Sequence, residues 1–301
     1  MKYSSLLENC KLCKRQCGVN RLKGELGVCS ADSKIKVAKA YLHLWEEPPV
    51  SLGNGSGTIF FSHCNLKCVF CQNHEISQEF KGKFITIERL SEIFLELQCK
   101  GSSNINLVTP THYVPQIKEA IEISKKNGLT LPILYNTNGY DTLDTIKSLN
   151  GFIDVYLPDF KYYNDKYAIR YSNAISYEEN IILILNEMIE QVGEPIFDSD
   201  GRILKGVIIR HLMLPGLLFD SKKIIDKIYN TFGDKVYISI MNQYTPMYNS
   251  KNYPEINKLL NPKHYNSLIE YAESIGVSKG FIQDVGTNNT SYVPNFNFQG
   301  I

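Results

Sequence analysis

The sequence predicts an α/β protein, an incomplete (β/α)6 barrel with a small N-terminal metal-binding module. Three observations carry this. Beyond residue 57, short apolar runs alternate with stretches of helical period, as repeated βα units and a parallel sheet require. Four cysteines crowd the N-terminus as Cys10-x2-Cys13-x3-Cys17-x11-Cys29, a spacing that is rarely accidental in a reducing compartment. Between the two lies Ser51-Leu-Gly-Asn-Gly-Ser-Gly57, a glycine-rich joint. The expected organisation is a module over residues 1–50, the barrel over 51–287 and a tail over 288–301. That tail, rich in Asn and without period, wraps the surface or is mobile.

Taken in order, the strands fall at Thr58–Ser62, Ile105–Thr109, Pro132–Asn136, Ile153–Asp159, Val207–Met213 and Val236–Met241. Amphipathic helices fall at Ile87–Cys99, Val114–Lys126, Thr142–Leu149, Tyr177–Gln191, Ser221–Phe232 and Pro262–Ile275. Thr86 and Asp220-Ser221 are helix-start signals, and Gly128, Gly151 and Gly276 are stops. Glu194–Ile203 interrupts the pattern before the fifth strand, with Asp200-Gly201 as a hairpin turn. A last short strand falls near Gly280–Gln283. In such a barrel, ligands gather at the C-terminal ends of the strands.

Lys plus Arg number 32 against 31 Asp plus Glu, and a net charge of +1 sets up no field favouring nucleic acid or a membrane surface. The first residues hold no apolar stretch of signal-peptide length, and no run approaches the roughly eighteen residues of a membrane span. A soluble, cytoplasmic protein without a membrane partner is expected. Seven of the eight cysteines fall in two tight groups, which in that compartment reads as metal ligation and not as a disulfide framework. Cys99, alone in a helical run, reads as a buried structural thiol.

The second cysteine group is Cys64-x3-Cys68-x2-Cys71, directly after the strand-like Thr58-Ile-Phe-Phe61. A [4Fe–4S] cluster is normally held by four thiolates. Three leave one iron open, where a substrate can be chelated. Tetrahedral zinc is the plainer alternative, but zinc motifs usually pair two-residue spacings. Cys64-Asn-Leu-Lys-Cys68-Val-Phe-Cys71-Gln-Asn73 resembles the cluster motif of the radical S-adenosylmethionine (SAM) superfamily. Within it, the chain most resembles the glycyl-radical activating enzymes, such as that of pyruvate formate-lyase, over essentially its whole length. The resemblance implies a [4Fe–4S] cluster whose open iron binds the amino and carboxylate groups of SAM. It also implies cleavage of SAM to methionine and a 5′-deoxyadenosyl radical, and a reductant such as flavodoxin or ferredoxin.

On the same resemblance Phe70 packs near the adenine, and Asn73 orients the cluster loop, an ordinary Asx turn being the alternative. Asp159-Phe-Lys161 looks like the Asp-x-Lys that ends the fourth strand in the activating enzymes. There the carboxylate suits the ribose hydroxyls or the ammonium of SAM, and the lysine suits its carboxylate. Ile209-Arg210-His211 with Pro215-Gly216 resembles the fifth-strand segment, which makes Arg210 a candidate for the SAM carboxylate or a substrate carbonyl. His211 then takes the opposite face as a hydrogen-bonded structural residue. Asn136-Thr-Asn-Gly139 resembles the Thr-Asn-Gly that ends the third strand, with Asn138 shaping the pocket. Met241-Asn-Gln-Tyr244 lies where the family touches the adenosyl group.

One element of the family pattern is missing: the Gly-Gly-Glu of strand two, which receives the SAM ammonium. Val108-Thr-Pro-Thr-His112-Tyr113 stands in its place. Thr109 is the candidate to offer a hydroxyl and a carbonyl there, while His112 contacts substrate or caps the next helix.

Cys10, Cys13, Cys17 and Cys29 make a complete ligand set, for structural zinc or for a second [4Fe–4S] cluster serving as relay or docking site. A module of about fifty residues is too small to rely on its own core. Four ligands leave no iron open, so SAM belongs at Cys64, Cys68 and Cys71. The expected function is hydrogen abstraction from a protein or peptide backbone. The alternatives are modification of RNA, which the charge balance does not favour, or of a small metabolite. A non-catalytic iron–sulfur carrier or scaffold is the rival from another class, and strand-end Asp159, Lys161 and Arg210 stand against it.

Overall fold

The computed structural model describes residues 2–284, 286–289 and 293–301. Its strands are β1 (Ile35–His43), β2 (Ser56–Phe61), β3 (Lys83–Ile85), β4 (Ile105–Val108), β5 (Ile133–Thr137), β6 (Val155–Pro158), β7 (Ile196–Phe197), β8 (Ile203–Leu212), β9 (Tyr237–Met241) and β10 (Gly280–Ile282). They form one sheet in the order β10-β9-β8-β6-β5-β4-β2-β1-β3, with β7 attached to β8. From β2 to β10 the neighbours along this path run parallel. The helices are α1 (Ser5–Glu8), α2 (His74–Ser77), α3 (Ile87–Cys99), α4 (Val114–Lys126), α5 (Leu143–Ser148), α6 (Asp165–Ser172), α7 (Tyr177–Val192), α8 (Leu218–Phe232) and α9 (Pro262–Ser274). This is the incomplete barrel that the βα alternation predicts.

Side chains alternate along each strand, so the sheet builds two cores. Ile105, Leu107, Ile133, Tyr135, Tyr156 and Ile209 join the helix residues Leu90, Phe94, Ile117, Ile184 and Ile224 in the largest cluster. Their sequence neighbours Leu134, Val155, Leu157 and Ile208 face the concave side and close around Val50 and Ile203. Helix starts are capped as expected: Thr86 accepts from the Arg89 amide at 3.1 Å, and Asn261 from the Lys263 amide at 2.9 Å. The Glu194–Ile203 insertion folds back as β7 against β8, with Gly201 in the turn at φ 87°.

The N-terminal half is more deeply built into the barrel than the sequence suggests. Residues 35–43, assigned above to the separate module, form β1, which pairs antiparallel with β2 from Val37 to His43 and with β3 at its start. β2 would otherwise present an open edge. The loop after β1 then crosses the concave face. The Asn104 side chain donates to the Val50 carbonyl at 2.7 Å, and the Ile203 amide to the Pro49 carbonyl at 3.1 Å.

The described part of the tail docks on the same region. Phe296 is buried with its ring 5.5 Å from that of Phe60, Lys39 Nζ donates to the Asn295 carbonyl at 2.9 Å, and the Ala40 amide to that of Gln299 at 2.8 Å. Residues 290–292 of that tail lie outside the described residues. Cys99, read as a buried thiol, is exposed, because Leu90, Ile93, Phe94 and Leu97 carry the core face of α3. Among the described residues no helix is long and apolar enough to cross a membrane.

If Phe296 anchors the tail, Phe296→Ala lowers the stability to urea unfolding by about 3 kcal/mol. An unchanged midpoint would mean that the tail does not dock in solution.

Candidate active site

β2 is buried along its whole length and delivers the chain to the concave mouth, where His63 turns it with φ 75°. The cysteine loop that follows is pinned on both sides. Lys67 and Val69 amides donate to the carbonyls of Ser172 and Tyr171 at 3.1 and 2.9 Å, and Gln78 Nε2 to that of Leu66 at 3.1 Å. Cys64, Cys68 and Cys71 all line one cavity of about 350 Å3, a size typical of ligand pockets.

Each sulfur has a polar neighbour suited to a thiolate. Asn138 Nδ2 and the Leu66 amide donate to Cys64 Sγ at 3.3 and 3.4 Å, Ser172 Oγ lies 3.0 Å from Cys68 Sγ, and Ser77 Oγ lies 3.2 Å from Cys71 Sγ. Burial pushes the Cys64 thiol up to about 12 and the Cys71 thiol up to about 11, and it raises Cys68 as well. Without a metal these thiols keep their protons; a metal displaces them.

The end of the cysteine loop brings Asn73 to the same cavity, and the strand ends bring Thr109, Asn138, Asp159, Lys161, Arg210, Met241 and Gln243. Asp159 and Lys161 form an ion pair of 2.6 Å. Burial works against the lysine charge, but Asp159 and nearby Cys68 outweigh it and raise its pKa. Tyr177 fixes this corner, its hydroxyl within 2.9 and 2.7 Å of the carbonyls of Asn138 and Asp159. Thr109 sits in the left-handed region at φ 57°, a strained conformation for a β-branched residue.

Residues 58–192 match the Radical SAM superfamily. The uncharacterized protein MJ0674 of Methanocaldococcus jannaschii is 33% identical over 279 residues, covering 89% of this chain and 75% of that protein. The chain belongs to the radical SAM superfamily. This radical SAM enzyme also shares its fold with Streptococcus suis SuiB. The structure of SuiB bound to S-adenosylmethionine has a TM-score of 0.54 at 15% identity, over 74% of this chain and 49% of SuiB. That of SuiB bound to the precursor peptide SuiA has a TM-score of 0.50 at 13% identity, over 74% and 47%. The chain thus spans about half the length of these solved structures.

The radical SAM family implies a [4Fe–4S] cluster and SAM, and the hydrogen-bond donors around Cys64, Cys68 and Cys71 fit thiolates.

Several placements differ from expectation. Phe70 is buried beside Tyr244, with ring centroids 5.7 Å apart, and is not among the cavity-lining residues. Arg210 faces the cavity with Nε bonded to Glu47 at 2.9 Å and one terminal nitrogen bonded to Glu46 at 2.7 Å. Sequence reasoning missed both glutamates, although Glu46-Glu47-Pro48-Pro49, ahead of the glycine-rich joint, is a signal of a fixed acidic loop. His112 neither lines the cavity nor caps α4. It lies beneath the cysteine loop and donates from Nε2 to the Ser62 carbonyl at 2.7 Å.

His211 points away from the cavity. Its Nδ1 donates to the Phe160 carbonyl at 2.8 Å, and its Nε2 accepts from the Ser221 hydroxyl at 2.9 Å. Burial holds its pKa down from 6.5 to about 4. The unfolded chain takes up this proton near 6.5 and the folded one does not, so stability present above that pH is lost as pH falls towards 4. A loss of about 3 kcal/mol is expected across the window. Urea unfolding at a series of pH values checks this, and His211→Asn should flatten the slope.

Proposed function

We propose that this radical SAM enzyme cleaves SAM reductively and removes a hydrogen atom from a peptide or protein substrate. The observation that carries the reading is the convergence of Cys64, Cys68 and Cys71 with Thr109, Asn138, Asp159 and Lys161 on one cavity. Held by the three cysteines, a [4Fe–4S] cluster with one open iron would supply the electron that breaks the sulfonium to give methionine and a 5′-deoxyadenosyl radical. Lys161 offers a charge-assisted bond to the SAM carboxylate, and Asp159 accepts from its ribose hydroxyls or ammonium. Thr109, forced into its turn, offers a carbonyl and a hydroxyl in place of the missing acidic loop. Phe60, Ile76, Val108 and Met241 give the cavity apolar walls, which exclude water from a radical. The peptide substrate is an analogy of fold with SuiB, and the reductant is proposed to be flavodoxin or ferredoxin.

A second metal centre is proposed at Cys10, Cys13, Cys17 and Cys29, which line a cavity of about 20 Å3 of their own. Arg21 supports it. This guanidinium is 1% exposed, donates to the His112 carbonyl at 2.6 Å and to that of Asp32, and finds no acceptor for Nε among the described residues. A buried cation needs negative charge nearby. Four metal-bound thiolates, on zinc or on a [4Fe–4S] cluster, provide it.

Anaerobic reconstitution, metal counting, and detection of 5′-deoxyadenosine after reduction test both proposals. About eight irons indicate two cubanes; about four with zinc indicate a structural module. Cys68→Ala should abolish SAM cleavage, while Cys13→Ala retains it if the N-terminal metal is structural. Lys161→Ala should weaken SAM binding about tenfold or more in calorimetry. If the cluster assembles but SAM is neither bound nor cleaved, the proposed reaction is wrong.

A further inference from the structure

Below the strand ends, the cavity floor carries an unbalanced charge. Arg210 donates from Nε to Glu47 at 2.9 Å and from its terminal nitrogen to Glu46 at 2.7 Å, with a second bond to Glu47. Two carboxylates thus share one guanidinium. Arg210 and Glu47 are both buried, and Glu46 is almost so. Asp159 and Lys161 balance each other, and His43 is kept neutral by burial. The remaining lining side chains are His63, uncharged polar or apolar residues, and the cysteines. With its three thiolates, an oxidised [4Fe–4S]2+ cluster is a monoanion, and SAM bound to it through a deprotonated amine and its carboxylate would be neutral, so cofactor binding would leave the extra carboxylate uncompensated. Burying such a group without a partner is costly.

A second observation points the same way. Asn106 on β4 is fully buried and donates from Nδ2 to Glu46 Oε1 at 2.8 Å. That bond fixes the amide orientation and leaves Oδ1, beside the carboxylate, without a partner among the described residues. Glu46 lines the cavity, with Asn106 behind it, and its carboxylate, an acceptor only, suits a ligand that brings N–H donors and positive charge. Ser239, on β9, adds a hydroxyl beside Glu47.

We infer that Glu46, positioned by Arg210 and Asn106, recognises a cationic nitrogen on the substrate, a primary ammonium such as that of a lysine side chain or a small amine. This rests on the radical SAM reading above and deepens it, by naming the group that enters the barrel. The slender shape of an alkylammonium suits a cavity that must also hold SAM.

The test uses the full-length, anaerobically reconstituted enzyme with SAM bound, and n-butylammonium, its neutral counterpart 1-butanol, and acetyl-Gly-Lys-Gly-amide as probes. The chain's single tryptophan, Trp45, lines the cavity next to Glu46, so its fluorescence reports occupancy alongside calorimetry. Butylammonium should bind about tenfold or more tightly than butanol, and Glu46→Gln should remove that preference. Asn106→Ser, which keeps a hydroxyl for Glu46 but deletes Oδ1, should weaken the cation severalfold. The peptide binding more tightly than the free amine assigns the ammonium to a lysine; the reverse assigns it to a small amine. If the wild-type enzyme does not prefer butylammonium, or Glu46→Gln keeps the preference, the inference is overturned. Formation of 5′-deoxyadenosine, followed in the same samples, reports separately on the radical reading.

Discussion

Three cysteine sulfurs buried at the end of β2 cannot carry charge unaided, and the mouth of the barrel is arranged around that constraint. Burial keeps their thiols protonated, yet Asn138, Ser172, Ser77 and the Leu66 amide already stand at hydrogen-bonding distance from them. These donors come from the turn after β5, from α6 and α2, and from the loop itself, so the site exists only when the sheet and its connections are assembled. Metal binding and folding are therefore coupled through the same contacts. Donors aimed at sulfur also tune the potential of a cluster.

The same constraint explains why the N-terminal half is not an appendage. β1 pairs with β2, and the loop behind it brings Glu46 and Glu47 to the cavity floor against Arg210. The two cysteine groups are tied together as well. His63, next to Cys64, donates from Nδ1 to the Cys29 carbonyl at 3.2 Å, while the carbonyl of His112 accepts from Arg21.

Much of this was legible in the sequence, and the reasons are specific. The strands β4, β5, β6, β8 and β9 are buried on both faces, so they read as apolar runs between amphipathic helices. Spacing grouped Cys64, Cys68 and Cys71, and the resemblance to the activating enzymes, supported by strand-end position, pointed to Asn138, Asp159 and Lys161. What escaped was set by tertiary pairing. β1 looked like part of a cysteine module because nothing local shows that β2 lacks an outer neighbour. The pairing of Arg210 with Glu47 and Glu46 was hidden because these partners lie 163 and 164 residues away. Phe70 turned to Tyr244, and Cys99 to solvent, because neighbouring residues had already filled the core. Helix α6 is short and polar, and its period was too weak to register.

The central claim is that the three-cysteine site leaves one iron open for SAM. Electron–nuclear double resonance of the reduced enzyme with SAM labelled with 15N at its amino group tests this most directly. Strong coupling between the cluster spin and the label is predicted, and it should vanish in Cys68→Ala. A fully loaded, reduced cluster that shows no coupling to the label would contradict it.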